Sequence, residues 1–109
     1  MDGPMEAAGG TTNRWRMSQL IRITLPAAVT QILPASEKRR RVVFFPPSQS
    51  GYGLDIVNTV TLTTGIFIGG ANGYVDFDYD RDGPIVCNPW FAAAMAAGIQ
   101  IVFLEVVAG

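Results

Sequence analysis

Histidine is missing from this chain of 109 residues, and cysteine occurs once, as Cys87. Without histidine there is no imidazole base and none of the commonest metal ligand, so histidine-based catalysis is excluded. One cysteine cannot close an internal disulfide, which fits a reducing compartment or assembly inside a cell. Charge is also scarce. Charged residues make up 16% of the chain, against roughly 25% in an average soluble domain, and Lys38 is the only lysine. Eight basic and nine acidic residues give a net charge of −1, so no long-range field favours nucleic acid or an anionic membrane as a partner. No hydrophobic run is long enough for a membrane-spanning helix; the longest, Phe91 to Leu104, is interrupted by Gly98 and Gln100. The first residues lack the apolar core of an export signal, so secretion by that route is not expected.

What is present is apolar and β-forming. Hydrophobic residues are 49% of the chain, more than one domain of this size readily covers alone, so partners are expected. In Tyr74–Asp80 the residues Val75, Phe77 and Tyr79 alternate with aspartates, the period of a half-buried strand. Ile99–Val107 is β-branched and apolar at nearly every position, which predicts a central strand buried on both faces. Trp90–Ala94 predicts another strand, although the Ala and Met content of residues 91–97 also suits a helix. Upstream, Leu20–Leu25 and Val29–Leu33 are short strands stopped by Pro26 and Pro34, and Arg39–Phe45 is a strand that opens basic and ends apolar. Residues 46–53 hold Pro, Ser and Gly and predict a loop. Strands are expected over 54–62 and 65–70, and Asn72-Gly73 predicts a hairpin turn. Seven or eight short strands with no long helical pattern make an all-β, antiparallel β-sandwich or jelly roll over residues 19–109. Residues 1–18 have the composition of an extended N-terminal arm.

Three constellations invite a chemical reading. Asp78-x-Asp80-x-Asp82-Gly83 matches the opening of a calcium loop. The position of the closing glutamate is Pro89, so the competing reading is a solvent-facing strand that ends in a turn, and calcium is only a weak candidate ligand. Lys38-Arg39-Arg40-Arg41 is either a solvated strand edge that blocks unwanted pairing or a docking patch for an acidic surface. Arg14-Trp15-Arg16 holds residue types that dominate interfaces and serves either as an anchor on a neighbouring subunit or as a lid on its own domain. The hydroxyls at Ser48, Ser50, Thr59, Thr61, Thr63 and Thr64 have no evident partner base. The alternation of Thr59, Thr61 and Thr63 predicts an exposed strand face. Cys87, beside Ile85 and Val86, predicts a small buried hydrophobe. No catalytic residue and no cofactor is expected.

The order of these features resembles that of small β-sandwich structural proteins in the virions of tailed bacteriophages. Leu33-Pro34 leads into the basic-then-apolar strand ending at Phe45; a Ser/Gly/Pro loop spans 48–53, and a glycine-tipped segment spans 65–73. The acidic turn Asp80–Gly83, the aromatic-alanine strand from Trp90 and the closing Ile101–Val106 complete the pattern over about residues 28–107. The resemblance implies a non-enzymatic capsid decoration or cement subunit in the virion. Its partners would be the major capsid protein, or another virion subunit, and copies of itself, with a trimer expected. A head-fibre or tail-adaptor subunit is the alternative within that class. Outside it stand an independent monomer and a carbohydrate-binding module stacking sugars on Tyr52, Tyr74 and Trp90.

Overall fold

The computed structural model describes residues 16–47, 50–69 and 73–108. Among these residues eight strands form two four-stranded antiparallel sheets. In chain order the strands are β1 (Arg16–Leu25), β2 (Thr30–Leu33), β3 (Arg39–Phe44), β4 (Gly51–Asp55), β5 (Ile66–Gly69), β6 (Val75–Asp78), β7 (Trp90–Ala94) and β8 (Ile99–Ala108). One sheet runs β1-β8-β3-β6 and the other β2-β7-β4-β5. The first strand pairs with the last, the second with the seventh, the third with the sixth and the fourth with the fifth. A long hairpin folded at β4-β5 and rolled up has this connectivity, which is that of a jelly roll.

Period-two burial places one face of each sheet on a shared core. From the first sheet come Leu25, Ile99, Ile101, Phe103, Val42 and Phe44, and from the second Leu33, Tyr52, Leu54, Ile68, Trp90 and Ala92. Trp90 is its centre, with its ring centroid 4.9 Å from that of Phe77 and 5.4 Å from that of Phe44. The indole Nε1 donates to the Val86 carbonyl at 3.4 Å, so the polar edge of the ring is satisfied inside the core. Tyr52 is fully buried and donates from its hydroxyl to the Phe45 carbonyl at 3.1 Å. Burial pushes its phenol well above the ordinary range, which leaves it neutral.

Several expectations need correction. Residues 16–18, expected in the arm, are the first residues of β1, while the remainder of the expected arm lies outside the described residues. Gly51-Tyr52-Gly53, expected in a loop, belongs to β4. The glycines there make room. A Cβ on Gly51 would overlap the Phe67 ring, and one on Gly53 would sit 2.5 Å from the Thr61 carbonyl oxygen. Phe67 and the 56–65 loop therefore lie directly on the outer face of the second sheet. Thr59, Thr61 and Thr63 are in that loop rather than on a strand, and the Thr61 hydroxyl accepts from the backbone N–H groups of Thr63 and Thr64. Strands β5 and β6 lie in different sheets and so do not form the hairpin expected at Asn72-Gly73, of which Asn72 lies outside the described residues. The alternating strand ends at Asp78; Tyr79–Asp82 forms one helical turn, α1, and Gly83–Cys87 a 3-10 helix. Residues 90–94 are a strand, as expected, and not the rival alanine-rich helix.

Close packing of the 56–65 loop on β4 gives a stability test. Gly53→Ala should cost about 1–3 kcal/mol, because the atom its Cβ meets is backbone. Urea unfolding of both forms checks it, and an unchanged midpoint would mean that the loop is not seated on the sheet.

Candidate assembly surface

Arg39, Arg40 and Arg41 are consecutive, yet the structure sends them to three different places. In β3 the pairing with β8 shifts between Arg39, opposite Val107, and Arg41, opposite Val106. Arg40 is thus the extra residue of a β-bulge, and the bulge turns Arg39 to the core side while Arg41 stays on the outer face. Arg39 is 0% exposed. Its Nε donates to Glu105 Oε2 at 2.9 Å, Nη1 to the carbonyls of Val86 at 3.1 Å and Asn88 at 2.8 Å, and Nη2 to that of Pro34 at 2.6 Å. Arg39 is therefore no docking residue; it ties the end of β2, the 3-10 helix and β8 to β3. The guanidinium of Arg40 lies 4.7 Å from the centroid of the Tyr79 ring, a cation–π contact. Arg41 pairs with Asp76 at 3.0 Å on the next strand. Among the three, Arg40 and Arg41 remain at the surface.

The aspartate run is structural in the same sense. Asp78 caps α1 by accepting from the Asp80 backbone N–H at 2.9 Å, and Asp82 accepts from the Asp78 N–H at 2.9 Å and from Arg81 at 2.6 Å. Asp78 and Asp82 thus hold the turn through these hydrogen bonds. Among the described residues no group of three or more His, Cys, Asp or Glu side chains is placed to hold a metal ion. Cys87 is half-buried and its thiol donates to the Arg39 carbonyl at 3.4 Å. A cleft of about 350 Å³ between Pro47 and Ala96–Gln100 has no ionisable side chain in its lining.

The extended surface is the outer face of the β1-β8-β3-β6 sheet. Since Ile99, Ile101 and Phe103 point to the core, Val102, Leu104 and Val106 point outward. Register sets Leu20 beside Leu104 and Leu104 beside Val43, while Phe45 donates its backbone N–H to Val102. At the far side Tyr74, 62% exposed, stacks near Phe45 with centroids 6.4 Å apart. The result is an apolar band across the sheet, bordered by Arg22 and by the Arg41–Asp76 pair. Strand β8 is central as expected, but its outer residues are half-covered, not buried. Of the expected anchor, Arg14 and Trp15 lie outside the described residues, and Arg16 is paired with Ala108 at the start of β1.

Of the three aromatics expected as sugar platforms, Tyr52 and Trp90 are sealed in the core and Tyr74 alone is exposed. Glu105 is the functional partner that sequence reasoning passed over. As the one charge in an otherwise uncharged ten-residue strand, it signalled a buried cation opposite.

No family model matches this chain, and no curated protein matches it. A solved structure described as "Bacillus endospore appendages form a novel family of disulfide-linked pili" is similar with a TM-score of 0.51. The alignment covers 85% of this chain and 86% of that one at 10% identity. The likeness is one of fold.

The arginine network and the α1 turn each yield a test. Arg39→Met should destabilise the chain by about 3–5 kcal/mol, because it strands a buried carboxylate and backbone carbonyls together. Arg39→Lys should recover only part, since one ammonium cannot copy a guanidinium fork; chemical denaturation measures both, and full recovery by lysine would refute the geometric account. At the α1 turn, hydrogen bonds from Arg81 and then from the Asp78 N–H hold the Asp82 carboxyl below the usual range. Because its folded pKa is depressed, its contribution is present above the ordinary carboxylate pKa and is lost as pH falls through the folded value. Asp82→Asn should flatten that acid limb of stability against pH, measured by thermal melts across the acid range.

Proposed function

We propose that this chain is a non-enzymatic structural subunit of a virion surface, of the capsid decoration type, which docks through the outer face of its β1-β8-β3-β6 sheet. The observation that carries this reading is the apolar band of Leu20, Val102, Leu104 and Phe45 on a face that no other element of the described chain covers. Contiguous apolar surface of this kind marks interaction sites. A jelly roll suits the role because both sheets are held by long-range pairing, and the outer face of the β1-β8-β3-β6 sheet is left free for contacts among the described residues. Residues 1–15, with Arg14 and Trp15, are the segment that would lie along a neighbouring subunit, and Arg40 and Arg41 would meet acidic groups at the rim. Docking by several copies at once multiplies a modest individual affinity.

Resemblance in sequence order to tailed-phage structural proteins supports the virion. The fold likeness to a protein described as pilus-forming supports assembly more generally. A disulfide-linked polymer needs at least two cysteines per subunit, and this chain has Cys87 alone, which favours a non-covalent surface subunit over a disulfide-linked filament.

Quantitative mass spectrometry of purified particles, calibrated against the major shell protein, tests the proposal. Decoration requires copies in a simple ratio to the shell subunit; a few copies per particle would indicate a head-fibre or tail-adaptor subunit, and absence from particles would overturn the reading. A chain lacking residues 1–15 should keep its melting temperature within a few degrees and lose particle association; retained association would remove the arm from the mechanism.

A further inference from the structure

Each sheet of an open sandwich leaves two edge strands with unpaired backbone groups, and natural proteins guard such edges with short strands, bulges, charges or covering side chains. Three of the four edges here are guarded. Strand β6 has four residues, and Arg81 Nη2 donates to its Asp76 carbonyl at 2.5 Å. Strand β2 has four residues and a register shift between Gln31 and Leu33. Strand β5 also has only four. Strand β1 is the least guarded of the four among the described residues. It is ten residues long, pairs with β8 without a shift from Arg16 to Leu25, and contains no proline or carboxylate; its only charges are Arg16 and Arg22. It also carries two of the most exposed large apolar side chains described, Met17 at 61% and Leu20 at 52%.

We propose that β1 pairs antiparallel with β1 of a second copy about a two-fold axis centred on Leu20, joining two four-stranded sheets into one of eight. The register follows from the side chains. An axis perpendicular to the sheet keeps outer residues opposite outer residues, so the paired residue numbers must sum to an even value. A centre at Gln19 opposes Arg16 and Arg22, and a centre at Arg22 opposes that residue to itself; like charges directly opposite are unfavourable. A centre at Ile21 pairs Met17 with Leu25, which is already buried. A centre at Leu20 sets Leu20 against Leu20 on the outer face, Met17 against the half-buried Ile23 on the other, and Arg22 against Ser18. Both exposed apolar residues are then covered and no like charges meet. The two apolar bands merge into one continuous outer face, so this pairing deepens the docking proposal and rests on it for its purpose, and a two-fold pair takes the place of the expected trimer.

Sedimentation of the isolated full chain at micromolar concentrations tests the pairing. The wild-type chain should be a dimer, and Leu20→Lys should be a monomer at the same concentration with an unchanged circular dichroism spectrum. In a Cys87→Ser background, Leu20→Cys should give a disulfide dimer under mild oxidation. Directly opposed residues bring their Cα atoms to about 4.5–5.5 Å, within disulfide reach. Ser18→Cys in the same background should not cross-link, since four residues of strand, about 14 Å, separate the two sulfurs. A monomeric wild type, a dimer indifferent to Leu20→Lys, or equal cross-linking at both positions would overturn the proposal. So would dimerisation only after removal of residues 1–15, which would mean that the chain's own N-terminal segment occupies the edge. None of these results depends on particles, so a dimer that is absent from virions would refute the docking role and leave the pairing intact.

Discussion

One buried guanidinium fixes how the two halves of this fold meet. Arg39 sits at the end of the sandwich where β3 begins, and its donors reach residues before, after and across from it in the sequence: Pro34, Val86, Asn88 and Glu105. A buried ion pair alone is weak evidence for stability, because desolvation offsets most of its Coulomb energy. Three backbone carbonyls change that balance here. They belong to irregular segments that no strand ladder satisfies, so an apolar replacement for Arg39 and Glu105 would take this donor from the Pro34 and Asn88 carbonyls and leave that of Val86 with the Trp90 indole alone. The arginine thereby sets the course of the chain between β2 and β3 and seats the 3-10 helix that carries Val86 under Trp90. Trp90 in turn packs on Phe44 and Phe77 and so joins the sheets.

The second constraint is the roll itself. Pairing first with last and second with seventh strands makes nearly every ladder long-range, so every strand but β5 depends on a partner that is not its hairpin neighbour. Small residues in β4 and β7 keep the outer face of the second sheet flat enough for Phe67 and the 56–65 loop to lie against it. That face is covered from within the chain. The opposite sheet has no such cover among the described residues, and the two faces of the sandwich consequently differ: one is closed by its own loop and the other is open and apolar.

Much of this was legible in the sequence because it depends on a period of two and on breakers. The alternation at Val75–Asp78, the β-branched run of β8 and the prolines at 26 and 34 located their strands correctly. Two kinds of feature were not legible. A bulge is invisible to periodicity: with strict alternation Arg39 and Arg41 share a face, and only the extra residue at Arg40 separates a core residue from a surface one. Long-range covering is equally hidden, since Gly51 and Gly53 look like loop residues until the ring and the backbone that lie over them are known. The aspartates at 78, 80 and 82 match the spacing of a cation loop because a capped helical turn also needs carboxylates near its start. Spacing alone does not tell ligands from caps. For the surface, the basic run is the evident feature of the sequence, whereas the apolar outer residues of β8 read as buried.

That last difference explains why the proposed docking face is on the first sheet. A strand that is central in a sheet and apolar on both sides must have something against each side. In this chain the core supplies one side of β8, and the described elements supply nothing against the other. Val102, Leu104 and Val106 are half-covered only by their neighbours in the sheet. An apolar face so composed, on a domain with few charges to keep it in water, is the face on which the proposed contact beyond the single chain rests. The unguarded ten-residue edge of the same sheet leads to the same conclusion from the backbone rather than the side chains. Face and edge meet at Leu20, the one apolar residue that β1 exposes on its outer face.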